Sequence, residues 1–373
     1  MKYLTEEQLK KDLAIRDLSD PEQGEHAMQI IMNEVLDALS KYWNAPVTIY
    51  RESPIVTVED NYDKLGIEVD SVLRGDVHSR YVDENHVLRT MASTMVPRGL
   101  QSIKDQINPN RILACVGLVY RRDQIDRLHS GVHHQMDLWY TSENPLTEKD
   151  MQDMINIIVE VATGRKNADY TVIPKIHPYT LNGREIDVIW NGVPVEILEC
   201  GLTNPKILNE NGCAGKYGLA LGLGLERILM VRKNIKDIRL MRSTNPKVEQ
   251  QMHDLNPYQE VSSMPAVVRD MSVVVDKDLD VELLGDMIRD SGVDPHLIEE
   301  VTILSETPYE DLPEKAKERL GIEPTEKNIL VRIVLRSLER TLTNEECNGY
   351  RDWIYRHIST KEGYLKEVVK NDK

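Results

Sequence analysis

Phenylalanine is missing altogether from these 373 residues, whereas tyrosine occurs 15 times and tryptophan 4 times. Phenylalanine is a standard filler of apolar cores, and a chain of this length would ordinarily use it many times. Drift towards Leu, Met and Tyr is a poor explanation for a count of zero. Either translation of this protein must not depend on phenylalanine, or the sequence was engineered to lack it. Cysteine is also scarce. Cys115, Cys200, Cys213 and Cys347 form no C-x-x-C pair, which argues against a zinc site and reads as cytosolic thiols. No apolar run approaches the roughly 18–20 residues that a membrane span needs, so no membrane partner is expected. The first residues, Met1-Lys2-Tyr3-Leu4-Thr5-Glu6-Glu7, lack the apolar stretch of a signal peptide, and a cytoplasmic protein is the expectation. Positive charge is in deficit, with a net charge of −16. That weakens a nucleic-acid reading without excluding it, because a local basic patch can hide in a net figure.

What is present suits two or three domains with real cores, since 40% of the residues are hydrophobic. Met28, Ile31, Val35, Leu36, Leu39 and Trp43 recur at helical spacing over 25–43, behind Asp20-Pro21. Short β-rich runs follow to about 75. Ile112–Val119 and Met136–Tyr140 read as strands, and the polar stretch Asp126 to Gly131 between them reads as a hairpin loop. A helix is expected at Glu148–Thr163. Strands Glu185–Trp190 and Val193–Leu198 are split by Asn191-Gly192, a strong two-residue hairpin signal. Residues 243–262 are polar, carry Asn245-Pro246 and Asn256-Pro257, and read as a linker. Beyond it the pattern restarts: strand Ala266–Val275, helix Val281–Asp290, strand Leu297–Leu304, a charged insertion over 307–327, strand Ile329–Leu335, helix Asn344–His357 and a short strand near Tyr364–Val369. This is a βαββαβ, ferredoxin-like order.

Two motifs carry the chemistry. The first is Val119-Tyr120-Arg121-Arg122-Asp123-Gln124-Ile125-Asp126, followed by His129 and by His133-His134-Gln135-Met136-Asp137. The second is Gly222-Leu223-Gly224-Leu225-Glu226-Arg227, read as the opening of a helix towards Val231. Each places an arginine where a strand or helix can present it to a phosphate, and glycine lets backbone approach a ligand closely. Together they resemble motifs 2 and 3 of class II aminoacyl-tRNA synthetases, specifically the catalytic subunit of phenylalanyl-tRNA synthetase. Ser53–Val58 with Asn61-Tyr62-Asp63, Leu88-Arg89-Thr90-Met91-Ala92-Ser93 and Glu196–Gly201 are similar to further segments of that family. Pro265–Asp270 and Glu339–Glu346 are similar to its ferredoxin-fold anticodon-binding domain.

The resemblance implies an α+β fold, with the antiparallel class II sheet flanked by helices and a C-terminal ferredoxin-like βαββαβ domain. The expected organisation is an N-terminal extension over 1–20, a catalytic domain over 21–245, a linker over 246–262 and an anticodon-binding-like domain over 263–373. The implied activity is ATP-dependent amino-acid activation through an aminoacyl-adenylate, followed by tRNA aminoacylation, with ATP, Mg²⁺, an amino acid and tRNA as ligands. Arg121 would hold the α-phosphate and the substrate carboxylate, Arg227 the γ-phosphate. Asp123, His129, Glu196 and Gly224 would complete the ATP site, with Glu185 and Glu196 as Mg²⁺ ligands. Met91, Ser93, Gln135, Asp137, His177, Tyr179, Glu199 and Ala220 would line the amino-acid pocket.

That pocket departs from the family. Phe-Pro-Phe becomes His177-Pro178-Tyr179, Phe-Ala-Phe-Gly becomes Leu219-Ala220-Leu221-Gly222, and the pocket's Glu becomes Asp137. Met91 stands for the usual His and Glu199 for a usual Gly, and neither replaces a phenylalanine. A carboxylate there disfavours an apolar ring and favours a polar or cationic side chain. The alternatives are a paralogue that activates another amino acid for a small-molecule or carrier acceptor, and a non-catalytic relative that binds amino acid or tRNA. A homodimer through residues 25–60 and a monomer are both arrangements open to such chains. From Pro257 onwards 16 Lys+Arg face 25 Asp+Glu. Arg332, Arg336 and Arg340 therefore form either a local tRNA patch or a strand face with partner acids.

Overall fold

Thr5 opens helix α1 (Glu6–Leu13) with a reciprocal capping box to Gln8. In this computed structural model, which describes residues 3–75, 79–261 and 264–361, the chain forms two compact units. The first takes residues 1–121, 132–241 and 246–259. After α1 comes α2 (Ala27–Trp43), whose Met28, Ile31, Val35, Leu36 and Leu39 form one buried stripe. Asn44, at φ 48°, ends it in the left-handed conformation that Asn tolerates.

Strands β1 (Val47–Tyr50) and β2 (Ile55–Thr57), helix α3 (Val58–Asn61), strand β3 (His86–Leu88) and helix α4 (Val96–Ile103) precede the main sheet strands β4 (Asn110–Tyr120) and β5 (Val132–Ser142). Helix α5 (Glu148–Thr163), strands β6 (Tyr170–Pro174), β7 (Thr180–Trp190) and β8 (Val193–Thr203), helix α6 (Pro205–Glu210), strand β9 (Tyr217–Gly224) and helices α7 (Leu225–Lys233) and α8 (Pro246–Glu249) follow. The seven-stranded sheet has the order β1-β4-β5-β9-β8-β7-β6 and is antiparallel except for the β1–β4 pair. The Asn191-Gly192 turn joins β7 to β8 with φ 51° and 81°, the twist a two-residue hairpin prefers.

Helices α5 and α7 pack on one sheet face with α2 against them, and α4 packs on the other. Residues alternate faces along a strand. Leu113, Cys115, Val119, Trp139 and Ala220 therefore join Val96, Leu100 and Ile103 in the core on the α4 side. Residues 246–259 are structured parts of this unit: the buried Lys233 ammonium donates to the Asp254 and Asn256 carbonyls, both at 2.7 Å.

The second unit takes residues 122–131, 242–245 and 260 onwards. Strands β10 (Val267–Asp276), β11 (Ile298–Pro308) and β12 (Glu326–Leu335) form an antiparallel sheet in the order β10-β12-β11, with helices α9 (Val281–Arg289), α10 (Glu314–Leu320) and α11 (Asn344–Ile358). Ile125 belongs to its core together with Val273, Ile288, Ile329, Val331 and Ile354. Segment 122–131 is tied in further by Arg122–Asp286 at 3.2 Å, by Arg127–Glu299 at 2.5 Å and by Arg289, which donates to the Asp123 and Gln124 carbonyls. A Cβ at Gly285 would lie 2.6 Å from Asp123 O, so only glycine admits this approach. The last strand expected near 364–369 lies outside the described residues. Arg332 is held bidentately by Asp270 at 2.8 Å, Arg336 by Glu299 at 2.6 Å and Arg340 by Glu346 at 2.7 Å. These three cations thus face partner acids.

Gly99 sets the fit of α4 on β4, because a Cβ there would meet Leu113 Cδ2 at 2.8 Å and Cys115 Sγ at 3.3 Å. Alanine is a better helix former by about 1 kcal/mol, but overpacking a core costs about 1–3 kcal/mol. Gly99→Ala should therefore lower the unfolding midpoint in denaturant titration. An unchanged or raised midpoint would mean that this contact is loose.

Candidate active site

One row of residues runs straight across four strands. Asp137 on β5 pairs with Gly222 on β9, Gly222 with Glu199 on β8, and Glu199 with Glu185 on β7. All four lie on the α4 face. Gly222 is the low point: a Cβ there would meet nothing nearer than Asp137 Oδ2 at 4.0 Å, and one at Gly224 would meet nothing within 4 Å. The floor between the Asp137 and Glu199 carboxylates is therefore open to a ligand.

Asp137 is buried. Burial pushes its carboxyl up to about 6, against hydrogen bonds from Ser93 Oγ and from Trp139 Nε1 at 3.0 Å. Gln135, two residues back on the same face, accepts the Ala92 N–H at 3.1 Å through Oε1. On the other side of Gly222, Glu199 receives His177 Nε2 and Lys175 Nζ, both at 2.9 Å. Burial alone would raise its carboxyl, but these two partners hold it down to about 2. His177 stacks on Tyr179 with ring centres 5.4 Å apart, and Tyr179 lies 6.4 Å from Trp139. Burial and then the Asp137 and Glu199 charges push the Tyr179 phenol up, while the Arg121 charge pulls it down. Asp137, His177, Tyr179, Glu199 and Arg121 thus share one electrostatic environment. Ala220 is buried opposite Trp139. Met91 packs against the cluster of Val56, Tyr62, Leu65 and Tyr81.

The Arg121 Nε donates to Thr90 O at 2.8 Å, and no acid pairs with its guanidinium among the described residues. Arg227 pairs with Glu196 at 2.9 Å. The expected helix opening at Gly222 needs correction: β9 runs through Gly224 and α7 starts at Leu225. The glycines need extended backbone to keep the sheet floor open, and Arg227 gains the first turn of the helix. Next to it, the buried Glu226 accepts the His134 backbone N–H at 2.9–3.0 Å and faces His134 Nδ1 at 2.6 Å. Burial would raise Glu226, but its pairing with His134 wins and holds it down to about 2. The Leu18 N–H points at His134 Nε2 at 2.8 Å, so the ring proton sits on Nδ1. This chain of contacts fixes the start of α7.

Glu185, Glu196 and Glu199 bring carboxylate oxygens within 4.8 Å of one another. Asp187, across the strand pair from Glu196, keeps one buried oxygen without a partner. Burial and then the Glu185 and Glu196 charges raise its carboxyl. Hard carboxylate oxygens and an unsatisfied acceptor fit Mg²⁺. Lys175, bridging Glu185 at 2.5 Å and Glu199 at 2.9 Å, neutralises part of the cluster. Lys175 and Asp187 escaped sequence reasoning because each is one ordinary charge in a strand-rich segment, and only the β6–β7–β8 pairing gives them neighbours. Asp123 and His129 make their contacts within the second unit. Asp123 Oδ1 accepts the Gln124 N–H at 2.9 Å, and His129 Nδ1 lies 2.7 Å from Asp126.

Asp137 also makes a stability prediction. Its folded value is raised from the ordinary 3.8 to about 6, so its ionisation costs folding free energy above pH 6. The cost is relieved as the pH falls from 6 towards 3.8. Asp137→Asn should be more stable than the parent at pH 8, by up to about 3 kcal/mol. The gap should close between pH 6 and 4 in denaturant titrations. A gap independent of pH would show that the carboxylate is not the cause.

The match to known families now has a structural frame. The model of the tRNA synthetases class II core domain (F) matches residues 10–252, and that of the ferredoxin-fold anticodon binding domain matches 262–364. The "Probable phenylalanine--tRNA ligase, mitochondrial" of Drosophila melanogaster is 25% identical over 394 aligned residues, covering 87% of this chain and 82% of the fly protein. The "Phenylalanine--tRNA ligase, chloroplastic/mitochondrial" of Arabidopsis thaliana is 28% identical over 355, covering 91% and 77%. Among solved structures, pyrrolysyl-tRNA synthetase from Desulfitobacterium hafniense superposes with a TM-score of 0.46 at 19% identity over 59% of this chain and 74% of that one. The chain belongs to the class II tRNA synthetase family of the phenylalanine type, with a ferredoxin-fold anticodon-binding domain behind the synthetase core.

Proposed function

We propose that this protein activates an amino acid with ATP and transfers it to tRNA. A substrate carboxylate oxygen attacks the α-phosphorus, the bond to the bridging oxygen of the β-phosphate breaks, and pyrophosphate leaves. A terminal ribose hydroxyl of tRNA then attacks the adenylate carbonyl, and AMP leaves. Catalysis of this kind is chiefly positioning and charge stabilisation. The observation that carries the reading is Arg121. Its guanidinium has no acid partner among the described residues, is anchored through Nε and shares the environment of Asp137 and Tyr179. A forked cation in that state suits a phosphate oxygen and a carboxylate.

Asp137, with Ser93 and Gln135 beside it, takes the substrate ammonium. Arg227 takes the terminal phosphate and trades its contact with Glu196 for it. Mg²⁺ held by Glu185 and Glu196 would neutralise phosphate charge when bound. Gly224, where a Cβ would meet nothing within 4 Å, completes the nucleotide site.

The amino acid itself is not plain phenylalanine in this reading. His177, Glu199 and Lys175 form a charged chain where an apolar ring would need an apolar wall. A side chain that carries its own hydrogen-bonding or cationic group fits such a wall. Two outcomes would redirect the proposal. Adenylate without aminoacyl-tRNA would point to a small-molecule or carrier acceptor, and absence of adenylate to a regulatory relative.

Arg121→Ala should lower ATP–pyrophosphate exchange by about 10²–10³-fold, and equal exchange in the variant contradicts the assignment. Exchange screened across the amino acids should favour a polar or cationic side chain. Strong, selective exchange with phenylalanine would refute that part of the account. Charging of total tRNA, followed with the preferred amino acid, tests the acceptor.

A further inference from the structure

The fold does not avoid buried aromatic rings. Tyr62, Tyr81, Tyr120, Tyr140 and Tyr355 are each at most 5% exposed, and Tyr62, Tyr81 and Tyr120 are among the largest fully buried side chains. These are places where a plain ring is the simpler filler, because a buried hydroxyl needs a partner. For four of these five the partners are present, and Tyr120 is the exception, with no hydrogen bond to its hydroxyl among the described residues. Tyr62 Oη meets Ser79 Oγ, Tyr81 Oη donates to Arg74 O at 2.7 Å, Tyr140 Oη accepts Asn110 Nδ2 at 3.2 Å and Tyr355 Oη donates to Lys361 O at 3.2 Å. Among the described residues no tyrosine hydroxyl is a buried atom without a partner. Wholesale exchange of Phe for Tyr in a finished fold would strand hydroxyls. At Tyr62, Tyr81, Tyr140 and Tyr355 the surroundings are built for them.

Chance and base composition do not produce this. If Phe and Tyr were equally acceptable, 15 consecutive choices of Tyr would be an event of roughly 1 in 30,000. Tyrosine and phenylalanine codons differ by one base, and isoleucine, leucine and lysine abound. What has been removed is a single amino acid, and with it every reading of one tRNA.

We infer that this enzyme loads the tRNA that reads phenylalanine codons, and that its own chain is free of phenylalanine so that it can be synthesised while that tRNA is uncharged or wrongly charged. The inference rests on the tRNA-charging function proposed above. A synthetase whose own message reads its product tRNA cannot start from an empty pool. One that places a different amino acid on that tRNA corrupts every protein with phenylalanine codons, and a phenylalanine-free chain is spared.

The test is a translation system reconstituted from purified components, with deacylated total tRNA from the source cells and no other synthetase for phenylalanine. It is programmed with this gene and with a reporter that contains phenylalanine codons. The full-length chain should form first, and the reporter should follow after a lag. Mass spectrometry of the reporter then identifies the residue inserted at those codons. Tyr3 and Tyr217 are exposed, so Tyr3→Phe/Tyr217→Phe should fold and catalyse like the parent when a phenylalanine synthetase is supplied. Without that supply the variant should yield neither itself nor the reporter. A silent reporter beside full-length parent protein overturns the inference, and so does a variant made as well as the parent. Exchange measured on the purified protein separates the two claims. Intact exchange with a silent reporter refutes only the inference, whereas no exchange with any amino acid refutes the charging function itself.

Discussion

Everything in the candidate site depends on the register of β5, β9, β8 and β7. A slip of one residue on any of them would send its side chain to the opposite face. The register is pinned by close approaches that exclude side chains. A Cβ on Gly201 would lie 2.7 Å from Thr180 Cβ, and one on Gly218 would lie 2.5 Å from Thr203 Oγ1. With those contacts made, Asp137, Gly222, Glu199 and Glu185 fall into one line. The same sheet carries Arg121 just past the end of β4 and delivers Arg227 through the β9–α7 junction.

The electrostatics follow from that line. The two carboxylates that flank Gly222 are in opposite states. Asp137 is buried with neutral donors only and rises to about 6, whereas Glu199 has Lys175 and His177 and falls to about 2. Environments that pull similar groups apart are how one site assigns different tasks to them. In the proposed function a substrate ammonium completes Asp137, whereas Glu199 already has Lys175 and His177 as partners. The chain as a whole is strongly acidic, yet no acid pairs with the Arg121 guanidinium among the described residues.

Much of this was legible in the sequence where the signal is local. Glu148–Thr163 reads as a helix because its apolar period and its Thr147–Asp150 capping box agree. Asn191-Gly192 marks its hairpin by backbone chemistry alone. Collinear motifs bring Arg121, Arg227, Asp137 and Glu196 forward as a group. The Tyr217–Gly224 strand was hidden, because an apolar run rich in glycine has no clear period. Helix α10 was hidden inside a charged insertion. Long-range pairings were not legible at all. The Leu18–His134 and His134–Glu226 contacts join residues 116 and 92 positions apart, and Arg332 finds Asp270 sixty-two positions away. Net charge signalled too many acids in the second unit, but only the sheet shows which acids hold which arginines.

The central claim is that a buried Asp137, half-protonated near pH 6, receives the substrate ammonium. Calorimetry of binding tests it directly, with the amino acid that exchanges most strongly, at pH 6 in two buffers of different ionisation enthalpy. Docking of a cation lowers the carboxyl's affinity for its proton, so the account predicts release of about half a proton on binding, fading to none at pH 8. Binding at pH 6 with no proton released would contradict it.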